Sequence, residues 1–132
     1  MNAPVSPDRV IAAVQLQDVR LRAGRFSRRV TSPAEAGRVL VEISHEAHAE
    51  PIEGKSAFLV TFCGGAALRP AAAKTEEPAL EAHVEIELRY GYPERTEFRK
   101  DELEAFASLN GVFNAWPYFR EYLQSVTTRM GL

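Results

Sequence analysis

Cysteine, histidine and tryptophan are scarce in this sequence of 132 residues, and each scarcity closes off a class of chemistry. The single cysteine, Cys63, lies in an apolar run and excludes an intrachain disulfide; it fits a reducing compartment, so a cytoplasmic location is predicted. Three histidines are too few for most histidine-based metal centres. His45 and His48, three apart on a segment that reads as strand, point to opposite faces, whereas two ligands on one strand need a spacing of two. No run approaches the roughly 18 apolar residues of a membrane span, and the opening "MNAPVSPDRV" lacks a charged region followed by an apolar core, so no membrane insertion is expected. An excess of one charge is missing too. The 16 Lys+Arg against 18 Asp+Glu leave a net charge of −2, which gives no ground for nucleic acid as a partner.

What is present is an ordinary globular balance, 45% hydrophobic and 26% charged, at a length that suits one core. Residues 1–9, with Pro4, Ser6 and Pro7, are predicted to form a flexible N-terminus. From Val10 the chain reads as a strand in which Val14 and Leu16 share one face while Val19 and Leu21 have the opposite parity. One extra residue near Gln17 and Asp18, a bulge, would return all four to the same face. After the connection "VTSPAEAG", Val39, Val41, Ile43, His45, Ala47 and Ala49 alternate with Glu42, Ser44, Glu46, His48 and Glu50, a half-buried second strand. Residues 57–68 are apolar on both parities, which predicts a third strand covered on both faces, with Gly64 and Gly65 marking a kink or bulge. The fourth strand, Leu80 to Tyr92, alternates most cleanly.

The pattern then becomes helical. Leu103, Phe106 and Leu109 predict a short helix from Asp101 to Leu109 that Asn110-Gly111 stops, and Asn114 predicts an N-cap for a long helix with Pro117 in its first turn. On that helix Trp116, Phe119, Leu123, Val126 and Met130 form one stripe and Tyr118 and Tyr122 a second row. The expectation is an α+β domain: a four-stranded antiparallel sheet of sequential hairpins, followed by a short and a long C-terminal helix. One stripe is enough to dock a helix on its own sheet, so the Tyr118–Tyr122 row and the second face of the third strand call for another surface, which a homo-oligomer supplies.

Candidate catalytic groups are poorly placed. Cys63 has neither a base nor a positive field beside it. Ser44 and His45, adjacent on a strand, face opposite ways, so a triad fails on geometry. Glu85 and Glu87 share a strand face, as exposed glutamates on antiparallel sheets commonly do. No GxxxxGKS/T or GxGxxG pattern exists to cradle a phosphate, and no cofactor is expected. The cluster "RFSRR" offers no aromatic beyond Phe26 for stacking bases. The residues favour a binding module over an enzyme.

The closing segment "FNAWPYFREYLQSVTTRMGL" adds a resemblance. A long bulged first strand carrying Asp18, three further strands, a short helix, and a long helix with "WPYFRE" (Trp116, Pro117, Tyr118, Arg120) and the ending "VTTRMGL" resemble the SecB family of protein-export chaperones, over residues 10–132 as a single domain. The resemblance implies a homotetramer, a dimer of dimers, with Tyr118 and Tyr122 at the oligomer interface. It implies apolar grooves that hold unfolded polypeptide without ATP, for which Phe58, Phe62, Phe113 and Trp116 are the candidate client contacts, against a purely core role for each. It also implies hand-off to the motor SecA, with Asp18 as a contact to that ATPase. Arg22, however, stands where the family carries a second acid, and the strong acidity of exporting members is missing. Some SecB-like proteins are instead dedicated to toxin–antitoxin partners. The competing expectations are a small-molecule-binding or enzymatic α+β domain with a cavity between sheet and long helix near His45, and a structural subunit of a larger assembly.

Overall fold

The computed structural model describes residues 4–28, 39–70 and 80–129. A short helix α1 (Asp8–Ala13) leads into β1 (Gln15–Arg28), and β2 (Val39–Pro51), β3 (Ala57–Pro70) and β4 (Leu80–Gly91) follow. Helix α2 (Lys100–Phe106), a π-helical turn (Ala107–Gly111) and α3 (Val112–Arg129) close the order. The strand order is β1-β4-β3-β2, antiparallel throughout. Only β2, β3 and β4 follow one another as neighbours; β1 pairs with β4 rather than with β2, so the sequential-hairpin expectation fails at the first strand and the arrangement is a Greek key.

The bulge expected in β1 is present. Its register with β4 shifts between Leu16 and Asp18, which places Leu16, Val19 and Leu21 opposite Tyr90, Leu88 and Ile86 on one face. A second shift, between Leu21 and Ala23, was not legible in the alternation. Residues 10–13, read as strand, are helical; Val10 is buried in the core from α1. No bulge occurs at Gly64 and Gly65, where both ladders of β3 run without interruption. Gly64 serves a close approach instead: a Cβ there would sit 2.6 Å from Phe119 Cε2 and 2.8 Å from Phe62 Cε1.

The turn from β2 to β3 is tight, with the Ile52 N–H donating to Ala57 O at 3.0 Å and Gly54 at φ +75, a conformation that favours glycine. Phe58, Val60 and Phe62 of β3 pack with Ile86, Leu88 and Tyr90 of β4 and with the helices on one face of the sheet. Leu59, Thr61 and Cys63, on the opposite face, stay half-buried and outside that core, so a single chain covers β3 on one face only.

The two expected helices are one continuous run. Asn110-Gly111 does not stop it; the chain passes through a π turn, and Asn114, predicted as an N-cap, lies inside α3 and donates to the Tyr90 hydroxyl at 2.8 Å. Pro117 is therefore interior to the helix, on an exposed position where water can take the carbonyl it leaves without a donor. The π turn has a packing reason. Leu103, Ala107, Gly111, Ala115 and Phe119 are all buried at a spacing of four. In a regular α-helix at about 100° per residue, that stripe would drift by about 160° from first to last; one extra residue absorbed in a wide turn cuts the drift to about 60°. Gly111 then fits against β3, where a Cβ would lie 2.8 Å from Val60 Cγ1.

Candidate functional site

Among the described residues no serine or cysteine is hydrogen-bonded to a histidine or carboxylate that could activate it. Ser44 and His45 point to opposite faces: Ser44 Oγ lies over Gly65 on the open face, while His45 lies on the helix face, 6.2 Å from the Phe62 ring and 6.1 Å from Trp116. His83 Nε2 is 3.0 Å from Glu81, and His48 sits between Glu46 at 3.6 Å and Glu104 at 3.4 Å. Cys63 faces a shallow depression of about 480 Å³ shared with Ser44, Glu46, His83 and Glu85. Burial pushes its thiol pKa up, the Glu85 and Glu46 carboxylates push it further, and Arg22 opposes them, so the thiolate is disfavoured. Among the described residues no group of three His, Cys, Asp or Glu could hold a metal ion. A cavity between sheet and long helix does exist, about 210 Å³, but Val19, Leu21, Ile86, Tyr118, Glu121 and Tyr122 line it and His45 does not.

Of the four aromatic residues singled out as client contacts, Phe58 and Phe62 are wholly buried, Phe58 stacking on Tyr90 at 5.3 Å and Phe62 meeting Phe119 at 5.4 Å. Phe113 is 79% exposed, and Trp116 is half-buried beside His45. Ile43 and Val41 continue that face of β2 and are 51% and 58% exposed. An open apolar strip thus runs from the start of α3 along β2.

Tyr118 and Tyr122 do not form one outward row. Tyr118 is exposed, whereas Tyr122 lies on its own sheet, 5.3 Å from the Phe26 ring, with its hydroxyl where a Cβ at Gly24 would collide. Asp18 accepts from Arg20 Nε at 2.6 Å, and Arg22 lies 3.8 Å from Glu85, so these three charges of β1 each have an opposite charge within the chain.

The backbone of β2 completes the surface. The Ile52 N–H points into the ladder toward Ala57, so even-numbered residues of this strand bond β3 and odd-numbered ones face the free edge. The Ala49 N–H accordingly points outward, and Glu104 Oε1 of α2 accepts it at 3.2 Å. The outward N–H and C=O groups of Val41, Ile43, His45 and Ala47 have no partner among the described residues. Sequence reasoning missed Glu104, and also Glu102, 2% exposed, which accepts from the Arg99 N–H at 3.2 Å and Arg9 Nη1 at 3.1 Å and thereby ties α1 to α2. The spacing of Arg99 and Glu102 at the start of α2 was the available signal, since a glutamate three residues into a helix reaches back to its first N–H.

Comparison with known proteins decides the architecture. No protein-family model matches the chain, and no curated protein matches it. A solved structure does: a SecB-like chaperone of Mycobacterium tuberculosis in complex with a ChAD peptide from the HigA1 antitoxin, at a TM-score of 0.82 and 26% identity, over 96% of this chain and 89% of that one. The fold is SecB-like. The resemblance read from the order of elements and the closing segment is supported by that structure, as is the α+β sheet-then-helices plan. In this SecB-like chain, no helix among the described residues is long and apolar enough to cross a membrane.

Proposed function

We propose that this protein is an ATP-independent chaperone that holds non-native polypeptide along the strip formed by Phe113, Trp116, Ile43, Val41 and the adjoining edge of β2. The observation that carries the reading is the coincidence of exposed apolar side chains with a row of unpartnered backbone groups on one strand edge. Such a surface recognises an extended segment by main-chain hydrogen bonds and accepts many side chains, as a chaperone must. The polar groups around Cys63 support the same reading, since none of them is paired with the thiol or with Ser44 as a catalytic base would be. The structural neighbour's antitoxin peptide supports polypeptide as the client.

The working form is a cytoplasmic homotetramer, a dimer of dimers, in which the exposed Tyr118 and the open face of β3 supply contact surface. Within this reading a dedicated client is favoured over hand-off to SecA. Asp18 is already neutralised by Arg20, and Arg22 reverses the charge at the neighbouring position.

The test is the solution mass by light scattering, alone and with an excess of a permanently unfolded polypeptide. Four times 14.7 kDa with uptake of the client is the expected result. A monomer indifferent to the client overturns the proposal.

A further inference from the structure

Glu104 stands at one end of the open β2 edge, outside the apolar core cluster. Its Oε1 accepts the outward Ala49 N–H at 3.2 Å, and its Oε2 lies 3.4 Å from His48 Nδ1. A segment adding to β2 would exchange hydrogen bonds with Val41, Ile43, His45 and Ala47 in turn and reach Ala49 next. There the only outward donor is taken. A client carbonyl arriving at Ala49 would face a carboxylate oxygen, acceptor against acceptor, in the space the Glu104 side chain fills. We propose that Glu104 is the stop that ends strand addition on β2, so that a client segment pairs from Val41 to Ala47 and no further.

The inference rests on the reading of β2 as the client edge. The occupant is an extended polypeptide segment, and the two faces of the strand narrow its chemistry. On the helix face its side chains meet Val41 and Ile43, with Trp116 beyond His45, which fit apolar residues. On the other face they meet Ser44, Glu46 and Glu42, whose carboxylate also lies 3.2 Å from Arg69, and the acids fit basic ones. A segment of alternating apolar and basic residues with four outward pairing positions satisfies both.

Amide hydrogen exchange resolved to single residues, with and without a permanently unfolded alkylated polypeptide, tests the stop. In the wild type the client should slow exchange at Val41, Ile43, His45 and Ala47 at least tenfold and leave Ala49 unchanged. In Glu104→Ala, Ala49 should exchange quickly alone, become protected when client is bound, and the affinity should rise severalfold. Glu104→Gln keeps an acceptor oxygen and should behave as wild type. If Glu104→Ala does not fold, Glu104→Ser, which is too short to reach the Ala49 N–H or fill that space, replaces it. Protection from Val41 to Ala47 with Ala49 still open in Glu104→Ala, at unchanged affinity, overturns the stop and leaves the chaperone reading standing. Client uptake without any protection along β2 overturns strand addition and the stop with it. No uptake by any form overturns the chaperone reading itself.

Discussion

The two ends of one sheet face meet opposite fates. Near the β2–β3 turn, Phe58, Val60, Leu88 and Tyr90 are buried beneath the continuous helix, and Phe106 stands edge-on to Tyr90 at 4.9 Å. Farther along the same face, Val41 and Ile43 carry side chains of the same kind at the same period and are more than half exposed. The alternation of a strand fixes which face a residue belongs to, while coverage depends on where the helix crosses. Here Ala47 and Ala49 lie under the helical run, and the strand beyond them on that face is uncovered. An apolar residue left open by the path of a helix is available for binding, and one beneath it is committed to stability.

Substitutions on the two sides of that boundary should separate in the same way. Phe119→Ala removes a wholly buried ring that packs on Phe62 at 5.4 Å and Trp116 at 5.5 Å, and should cost about 3–5 kcal/mol in urea unfolding. A loss under 1 kcal/mol would mean that the helix is not seated on the sheet as described. Gly64→Ala tests the same seat from the strand side. Its Cβ would lie 2.6 Å from the Phe119 ring, so overpacking of about 1–3 kcal/mol is expected, and a neutral result would show that the ring moves aside freely.

A third test concerns the open face, where no large stability effect is expected. Burial and the Glu85 and Glu46 carboxylates raise the Cys63 pKa, so the thiolate is scarcer than in the unfolded chain at any pH below that raised value. Alkylation by iodoacetamide at pH 8 should be severalfold slower in the folded protein than in urea, and Glu85→Gln should narrow the difference. Equal rates would place the thiol in plain solvent.

Much of the plan was legible. The period-2 runs located β2 and β4, a run apolar on both parities located β3, and the parity change between Leu16 and Val19 located the first bulge, because a side chain on the wrong face is a local and visible conflict. Beyond the pairing of β1 and its second register shift, three further features were not. Val10 packs from a helix, but a short apolar run such as residues 10–14 has no period of its own to distinguish helix from strand. Asn110-Gly111 has the composition of a helix stop, yet the spacing of four from Leu103 to Phe119, read as one stripe, belongs to a helix that widens and continues. Glu104 reads as an ordinary surface acid on α2, since its role depends on which amide of a distant strand faces outward. The candidate site was legible to the extent that its apolar members are large aromatics at the head of the last helix. The half formed by a strand edge is backbone, which alternation alone does not reveal.

The smallest change in stability should accompany a clear change in binding. Ile43 is 51% exposed on the open part of the helix face, so Ile43→Ser should shift the unfolding free energy by less than about 0.5 kcal/mol. Its outward N–H and C=O are backbone groups and survive the substitution, so strand addition stays possible while the apolar contact is lost. Uptake of an unfolded polypeptide should therefore weaken severalfold without being abolished, whereas Glu46→Ser, three residues along on the opposite face, should weaken uptake of basic segments and leave neutral ones alone. Equal effects of the two variants on both kinds of segment would mean that the two faces of β2 are not read separately. The boundary between covered and open residues would then describe packing only, with no bearing on recognition.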